Sequence, residues 1–181
     1  MQIKINPTLT PDIIFRCASL HKSFFPKDHF SSLLSVNTLS CYYNCIFEQS
    51  NYSIIAFDGD EVVGFLFAGS SYRGIQKKMI LNNTFDMILT LLKHPKYLIE
   101  KLFTYNKYVK TTSDYRILSI VVNNHKRKVR GVDLLKTLFM QANTNIGLSV
   151  NYKNINAINF YFRNGFIVDG FSGKNLLLSK C

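Results

Sequence analysis

Residues 116–163 alternate between strand-like and helix-like patterns, and this order limits the folds open to the chain. An apolar run over residues 116–122 precedes a helical pattern over 131–142, and a second apolar run covers 146–150. Another helical pattern follows over residues 154–163. Two strands that a helix connects within one sheet run parallel, because the helix carries the chain back to the same edge. The order therefore predicts an α/β fold whose two middle strands are parallel.

The rest of the chain contributes antiparallel strands. Residues 52–57 and 62–68 are rich in β-branched and aromatic side chains, and the sequence Asp58-Gly59 lies between them. An Asp-Gly pair between two such runs is typical of a tight hairpin. Short strand patterns also cover residues 2–6, 166–171 and 175–179. The predicted sheet is therefore mixed and mostly antiparallel.

Helical patterns fill the segments between these strands. Thr10 and Pro11 place a capping hydroxyl before a proline, so a helix is predicted to begin there. Two shorter helices are predicted over about 30–35 and 39–47. A helical insert is predicted at about 70–113, where eight Lys or Arg stand against two acidic residues. Since no internal repeat divides the chain, we expect a single domain over residues 1–181.

The composition is that of a folded domain. Of the 181 residues, 47% are hydrophobic and 14% are aromatic, which is incompatible with a disordered polyelectrolyte. The apolar runs fall well short of the roughly 20 residues that a membrane span needs. The N-terminal residues lack a charged segment followed by an apolar one. We therefore expect no membrane span, no secretory signal and a cytoplasmic location.

Cysteines and histidines are scattered rather than grouped. The four cysteines have neither Cys-x-x-Cys spacing nor histidines at ligand spacing, so we expect free thiols and no metal site. None of the four histidines has a partner at the spacing of a metal site or a catalytic triad. Structural or surface roles are therefore expected for them.

Positive charge dominates the chain, with 22 Lys and Arg against 11 Asp and Glu and a formal net charge of +11. Charge of this sign favours an anionic partner, namely nucleic acid, a membrane surface or a phosphorylated small molecule. Part of it lies at residues 125–130, between a predicted buried strand and the helix over 131–142. Because a helix N-terminus presents unpaired N–H groups and the positive end of its dipole, this loop predicts a phosphate site rather than a nucleic-acid patch.

The helix over residues 154–163 offers room for a ligand. Steps of three and four residues place Asn154, Ala157 and Tyr161 on one of its faces. Gly165 supplies a left-handed stop after the helix. A small residue between an amide and a phenol leaves space beside the helix.

The two segments resemble the GNAT superfamily of acetyl-CoA-dependent N-acetyltransferases. The family motif N-x-x-A-x-x-x-Y-x-x-x-G-F is met at each of its positions, by Asn154, Ala157, Tyr161, Gly165 and Phe166. The match is close over residues 116–166 and loose over the rest of the chain.

The basic loop matches a second family pattern in part. Members typically follow a strand ending in Val with R/Q-x-x-G-x-G/A. An ungapped match places Lys126, Val129 and Gly131 at the three key positions, so a valine stands in place of the first glycine. A shift of one residue makes Arg127 the basic member instead.

The resemblance implies a fold and a set of binding residues. Two parallel middle strands splay apart between helices on both faces of the sheet, and the pantetheine arm of acetyl-CoA lies in the gap. Val121 and Val122 give backbone hydrogen bonds to pantetheine, Asn154 contacts the cofactor arm, and Tyr161 protonates the departing thiolate. The residues expected to hold the diphosphate are Lys126, Arg127, Lys128, Val129, Arg130, Gly131 and Val132.

The implied reaction is direct transfer of acetyl to a primary amine of a small molecule, with a nucleotide-linked amino sugar as first candidate. An alkylamine with a pKa of about 10.4 costs roughly 4–5 kcal/mol to deprotonate at neutral pH, so a base or an ordered water chain is needed. The family often uses a carboxylate on the central strands, but residues 116–122 contain none. The base is left open between Asp114, just before that strand, and water relayed by backbone carbonyls.

Other assignments remain open in the sequence. Phe25 and His29 lie in an aromatic segment after the first helix, which either lines an acceptor pocket or forms a buried staple between helices. An alternative function is a catalytically weak module on the same fold that senses acyl-CoA or binds nucleic acid through the basic insert. The oligomeric state is left open between a monomer and a homodimer.

Overall fold

The computed structural model describes residues 1–26, 29–70, 89–90, 92–95, 113–125 and 128–181. The strands are β1 (Gln2–Ile5), β2 (Tyr52–Asp58), β3 (Glu61–Gly69), β4 (Tyr115–Val122), β5 (Ile146–Asn151), β6 (Ile167–Ser172) and β7 (Asn175–Lys180). The helices that pack on them are α1 (Pro11–Phe24), α2 (Val36–Glu48), α3 (Gly131–Gln141) and α4 (Ile155–Arg163), with a 3₁₀ helix over Phe30–Leu33. The helical insert predicted at about 70–113 lies almost wholly outside the described residues.

The strands form one sheet in the order β1-β2-β3-β4-β5-β7-β6. Neighbouring strands are antiparallel except β4 and β5, which run parallel. The hairpin of β6 and β7 folds back so that β7 pairs with β5. The predicted mixed sheet with a parallel middle pair is therefore confirmed.

The parallel pair is short and then opens. In the described strands, β4 and β5 are paired only through Tyr115 with Ile146 and Arg116 with Gly147. Beyond these residues both strands continue without pairing to each other. The register of β4 against β3 skips Leu118, which indicates a β-bulge soon after the paired residues. Because a bulge bends the strand that carries it, its position explains why the two strands diverge.

Apolar clusters cover both faces of the sheet. Side chains of α1 and α2 pack on one face in a cluster that includes Leu39 and Phe65. Side chains of α3 and α4 pack on the other face, in a cluster that includes Leu134 and Leu66. Phe65 and Leu66 are consecutive in β3 and belong to different clusters, as the alternation of side chains along a strand requires. The predicted placement of helices on both faces is therefore confirmed.

Local signals set several element boundaries. The Thr10 hydroxyl accepts the N–H of Ile13, and α1 begins at Pro11 as predicted. Gly59 in the β2–β3 turn has a φ of +60°, and Gly165 after α4 has a φ of +83°. Glycine adopts this left-handed region without a steric penalty, so both turns form where the sequence places them.

Candidate functional site

Among the described strands, none pairs with one edge of β4 beyond the point where β4 leaves β5. Val121 and Val122 are paired with Phe65 and Gly64 on the opposite edge, and the β4–β5 register of the described strands includes neither valine. Backbone N–H and C=O groups on an open strand edge require partners, and an extended ligand can supply them as an added strand. The structure therefore places Val121 and Val122 beside the gap.

The loop after β4 begins close to the sheet. The N–H of Asn123 donates to the carbonyl of Val63 at 2.8 Å. The side-chain oxygen of Asn123 accepts the N–H of His125 at 3.0 Å. These bonds hold the start of the loop against β3, while the predicted residues Lys126 and Arg127 lie outside the described residues.

Lys128 is directed towards the β2–β3 hairpin. Its ammonium group forms an ion pair with the Asp58 carboxylate at 2.6 Å, and the Lys128 side chain is 54% exposed. The sequence indicated only a hairpin tip at Asp58, so this contact was missed. A diphosphate on the loop would share the Lys128 charge with that carboxylate.

The side chain of Val129 packs into the core and does not project from the basic loop. It is 2% exposed, and a Cβ atom placed on Gly64 would lie 3.0 Å from Val129 Cγ1. Its φ is negative, since Asn6 is the one residue other than glycine with a positive φ in the described chain. The valine in the first glycine position therefore carries none of the strain that a left-handed backbone would impose.

The start of α3 approaches α4 closely at Gly131. A Cβ atom at this position would lie 2.9 Å from the ring atom Cζ of Phe160. A side chain at this position would require the Phe160 ring to shift. Gly131, at the second glycine position of the loop pattern, therefore allows the first turn of α3 to lie next to α4.

Asp133 and Arg130 form an ion pair at the N-terminus of α3. The Asp133 carboxylate accepts the backbone N–H of Arg130 at 2.9 Å and the Arg130 guanidinium at 3.0 and 3.3 Å. The hydrogen bond from the Arg130 side chain lowers the pKa of Asp133. Asp133 therefore stays ionised and occupies part of the site predicted for a diphosphate. This residue was missed by the sequence analysis because an acid at the third helical position is also an ordinary cap.

Tyr161 lies on α4 as predicted, and Asn154 lies just before the first residue of that helix. Asn154 caps the helix, and its side-chain oxygen accepts the N–H of Ala157 at 3.1 Å. Tyr161 is 7% exposed and packs in the α3–α4 cluster with Phe166. Within the described part of the chain, its hydroxyl has no hydrogen-bond partner. Burial raises the pKa of Tyr161, so the hydroxyl keeps its proton at neutral pH.

The Tyr161 hydroxyl is suited to a polar ligand atom. A buried O–H without a partner costs free energy, and a thiolate or thioester sulfur beside α4 would remove that cost. Among the described residues, the edge of β4 beyond Arg116 and the N–H groups of Gly131 and Val132 likewise have no backbone partner, whereas the N–H of Asp133 donates to the carbonyl of Arg130. The donor set therefore suits the pantetheine and diphosphate parts of coenzyme A.

Phe25 and His29 lie on the α1–α2 side of the sheet. The Phe25 ring stacks on His21 with ring centroids 4.1 Å apart and meets the His29 ring edge-on at 5.0 Å. His29 also caps the 3₁₀ helix by accepting the N–H of Ser31. A cleft of about 330 Å³ lies between α1 and the start of β3, with Phe24 and Asn123 in its wall. Neither Phe25 nor His29 lines that cleft.

Asp114 lies at the closed end of the β4–β5 pair. It is exposed, its carboxylate accepts the hydroxyl of Thr144, and its N–H donates to the carbonyl of Asn145. The unpaired part of β4 begins on the far side of Tyr115 and Arg116. Asp114 is therefore separated along the strand from the place where the gap opens.

No group of three or more His, Cys, Asp or Glu side chains is arranged to hold a metal ion in the parts of the chain that the structure covers. No helix among those same residues is long and apolar enough to cross a membrane.

Comparison with known proteins finds the fold but no sequence relative. No protein-family model matches the chain, and no curated protein sequence matches it. Among solved structures, an aminoglycoside 6'-acetyltransferase type Ii has a TM-score of 0.62 at 14% identity, with 99% of this chain and 96% of that chain covered.

Two other solved structures cover nearly the whole chain. The PaiA N-acetyltransferase from Thermoplasma acidophilum, solved in complex with coenzyme A, has a TM-score of 0.54 at 14% identity and covers 99% of both chains. An acetyltransferase of the GNAT family from Streptococcus pneumoniae has a TM-score of 0.54 at 15% identity, covering 99% of this chain and 98% of that one. At such identities the likeness is one of fold. The mixed, splayed sheet of this chain is the fold of the GNAT acetyltransferases, as the two sequence motifs imply.

Proposed function

We propose that the chain is an N-acetyltransferase that moves acetyl from acetyl-CoA directly to a primary amine of a small molecule. The observation that carries this proposal is the buried Tyr161 hydroxyl, which has no partner among the described residues and belongs to the same apolar cluster as Ile117 of β4 and Leu148 of β5. The fold shared with the acetyltransferases supports it.

Different groups of the chain bind different parts of acetyl-CoA. The open edge of β4 at Val121 and Val122 binds the pantetheine amides as an added strand would. The first N–H groups of α3 and the basic loop bind the diphosphate. Asn154 has used its oxygen to cap α4, and its side-chain NH₂ donates to the cofactor arm.

Tyr161 supplies a proton to the leaving sulfur. Acetyl-CoA brings a thioester whose carbonyl carbon is attacked by the amine. Because burial raises the pKa of Tyr161, its hydroxyl is protonated throughout the neutral range and donates to the developing thiolate. The proton is regained from the amine nitrogen as the amide forms.

Phosphorylated amines are the first acceptors to test, with a nucleotide-linked amino sugar as the leading candidate. The net charge of +11 attracts an anionic acceptor as well as coenzyme A. Phe25 and His29 lie on the α1–α2 side and are proposed to border the acceptor site, with Phe25 against the acceptor and the exposed His29 at its solvent edge.

A second candidate function is an acyl-CoA-sensing module with little catalysis. It is favoured by the absence of a carboxylate from residues 116–122 and by the position of Asp114 at the closed end of the β4–β5 pair. The two candidates differ in turnover and agree on binding.

The direct experiment follows release of free thiol from acetyl-CoA in the presence of a panel of amines. Turnover with at least one amine supports the enzyme. Thermal stabilisation by acetyl-CoA with no turnover supports the sensing module. The absence of both turnover and thermal stabilisation contradicts both candidate functions.

Replacing Tyr161 by Phe tests its role as the proton donor to the leaving sulfur. The variant Tyr161→Phe keeps the ring in the cluster, so kcat should fall by about 100-fold while the KM for acetyl-CoA stays within about twofold. Tyr52→Phe is the control, because it removes the hydroxyl of a partly buried tyrosine in β2, beside Tyr115 and outside the proposed site. Equal kcat values for the two variants would remove Tyr161 from the mechanism.

A further inference from the structure

A series of hydrogen-bonded side chains runs from the central strand β4 to the 3₁₀ helix. The Tyr43 hydroxyl lies 3.0 Å from Ser119 Oγ and 2.6 Å from His21 Nδ1. On the other side of the imidazole, His21 Nε2 lies 2.8 Å from Ser31 Oγ. Ser31 Oγ in turn lies 2.7 Å from His29 Nδ1. The five side chains therefore form one continuous hydrogen-bonded series.

The series is buried in its middle and accessible at its ends. His21 is 2% exposed, Tyr43 is 1% exposed and Ser31 is 8% exposed. Ser119 is partly exposed on β4, and His29 is exposed before the 3₁₀ helix. A buried path with two accessible ends is the arrangement that proton transfer from an enclosed site to solvent requires.

One backbone bond fixes the direction of every donor. The N–H of Ser31 donates to His29 Nδ1, so this nitrogen carries no proton and must also accept the Ser31 hydroxyl. The oxygen of Ser31 then accepts from His21 Nε2–H. His21 Nδ1 is therefore the acceptor for the Tyr43 hydroxyl, and the Tyr43 oxygen accepts from Ser119. All donors point away from β4 and towards His29.

His21 remains neutral in this setting. Burial lowers its pKa to about 3, and repulsion from His29, when that residue is protonated, and from Lys22 adds to the effect. Phe25 covers its ring face. A neutral imidazole accepts a proton at one nitrogen and releases one from the other, which a charged one cannot do.

Ser119 lies where β4 has left β5. It follows Leu118, the residue skipped in the register with β3, and it lies beyond Arg116, the last residue paired with β5. The bulge directs Ser119 towards Tyr43 on the α1–α2 side, where Phe25 and His29 also lie. The entrance of the series is thus beside the gap in which the thioester is proposed to lie.

We propose that Ser119, Tyr43, His21, Ser31 and His29 form a relay that carries the proton of the acceptor ammonium group to solvent, a proposal that rests on the proposed acetyl transfer. Ser119 Oγ accepts a proton from the ammonium nitrogen as its own proton passes to Tyr43. Each following group accepts one proton and gives up another, and His29 releases one from Nε2. The relay takes the place of the carboxylate that residues 116–122 lack.

The proton count balances without a further reagent. The ammonium group loses one proton through the relay, and the neutral nitrogen forms the C–N bond as the C–S bond breaks. The sulfur receives a proton from Tyr161, which regains one from the nitrogen. One proton leaves for each acetyl group transferred, and it is the one that the relay carries.

The test compares two acceptors of similar shape in the full-length chain. One is an alkylamine that the wild type acetylates, and the other is its alkoxyamine analogue, whose nitrogen is unprotonated at neutral pH. In Tyr43→Phe, which removes the central hydroxyl, kcat/KM for the alkylamine should fall by about 100-fold. The value for the alkoxyamine should stay within about twofold of wild type, and the KM for acetyl-CoA should not change.

A second variant and a second measurement guard against a folding defect. Ser31→Ala cuts the series at its outer end and should show the same selective loss, while Tyr52→Phe should lose nothing. Raising the pH from about 7 to about 9.5 supplies free alkylamine and should restore most of the activity of both relay variants.

The outcomes separate the relay from the reaction it serves. A loss confined to the protonated acceptor supports the relay. Equal losses with both acceptors, or no loss with either, overturn it while leaving acetyl transfer intact. A wild-type protein that acetylates neither acceptor overturns the proposed function and the relay together.

Discussion

Val129 occupies the space that Gly64 leaves open on β3, with its Cγ1 atom 3.0 Å from the point where a Cβ atom at position 64 would lie. A side chain of the basic loop is therefore inserted over a central strand. The loop's position beside the end of β4 depends on this contact as well as on the Asn123 bond to Val63.

Replacing Gly64 by Ala should disturb this contact. The added methyl group would press on Val129 and on Val122 Cγ1, 3.3 Å away, so the free energy of unfolding should fall by about 1–3 kcal/mol. Urea denaturation measures this. In the double variant Gly64→Ala with Val129→Ala, the combined loss should be smaller than the sum of the single losses. Strict additivity would contradict the contact.

Replacing Val129 by Gly supplies the first glycine of the GNAT loop pattern and should still harm the protein. The variant loses a buried side chain and gains backbone freedom in the unfolded chain, so unfolding should become easier by about 2–4 kcal/mol. Affinity for coenzyme A, measured by calorimetry, should not increase. Val168→Gly is the control, because that valine is 44% exposed and its loss should cost less. Tighter binding by Val129→Gly would show that the valine obstructs the loop.

Asp133→Asn should strengthen binding of coenzyme A. The substitution removes a negative charge from the start of α3 and releases the Arg130 guanidinium, so the Kd at low salt should fall by about fivefold. The gain should shrink as salt is added, because these groups are exposed to screening. Asp12→Asn makes the same change of charge beside Arg16 on α1 and should leave the Kd unchanged. A weaker affinity in Asp133→Asn would indicate that the cap matters more than the charge.

The chain should lose stability in acid through His21. The folded-state pKa of about 3 lies below the usual value of 6.5, so the unfolded chain binds a proton at a higher pH than the folded chain does. His21 therefore does not lower the free energy of unfolding above about pH 6.5. Below that pH the free energy of unfolding falls as the pH drops towards 3, by up to about 1.4 kcal/mol per pH unit. Urea denaturation at several pH values checks this.

Other groups also titrate in acid, so the comparison of variants isolates His21. In His21→Gln the free energy of unfolding should depend less on pH between 6.5 and 3 than in wild type. His125→Gln replaces an exposed histidine and should follow the wild-type curve. If His21→Gln also follows that curve, the imidazole is not held neutral by burial.

Local features of the fold were predictable because their causes lie within a few residues. The cap at Thr10, the turn at Gly59 and the stop at Gly165 each depend on neighbouring backbone groups, and each is present in the structure. The position of Tyr161 on α4 follows from helical spacing, and that of Asn154 at the helix start follows from its capping side chain. The order of strands and helices likewise predicted the mixed sheet.

What the tertiary structure decided depends on contacts between distant parts of the chain. The register skip at Leu118 arises from the pairing of β4 with β3, and no local signal marks it. Val129 looked like a substitution in a glycine loop, whereas the absence of a side chain at Gly64 gives it a place in the core. His21 had no partner at any recognisable spacing, yet folding places it between Ser31 and Tyr43, and Tyr43 reaches Ser119 across 76 positions of sequence. The sequence by itself determined the elements and the family motif on α4, because periodicity and capping act locally. Packing alone determined the gap beside β4 and the polar series that leads away from it, because both require sheet and helices to be assembled first.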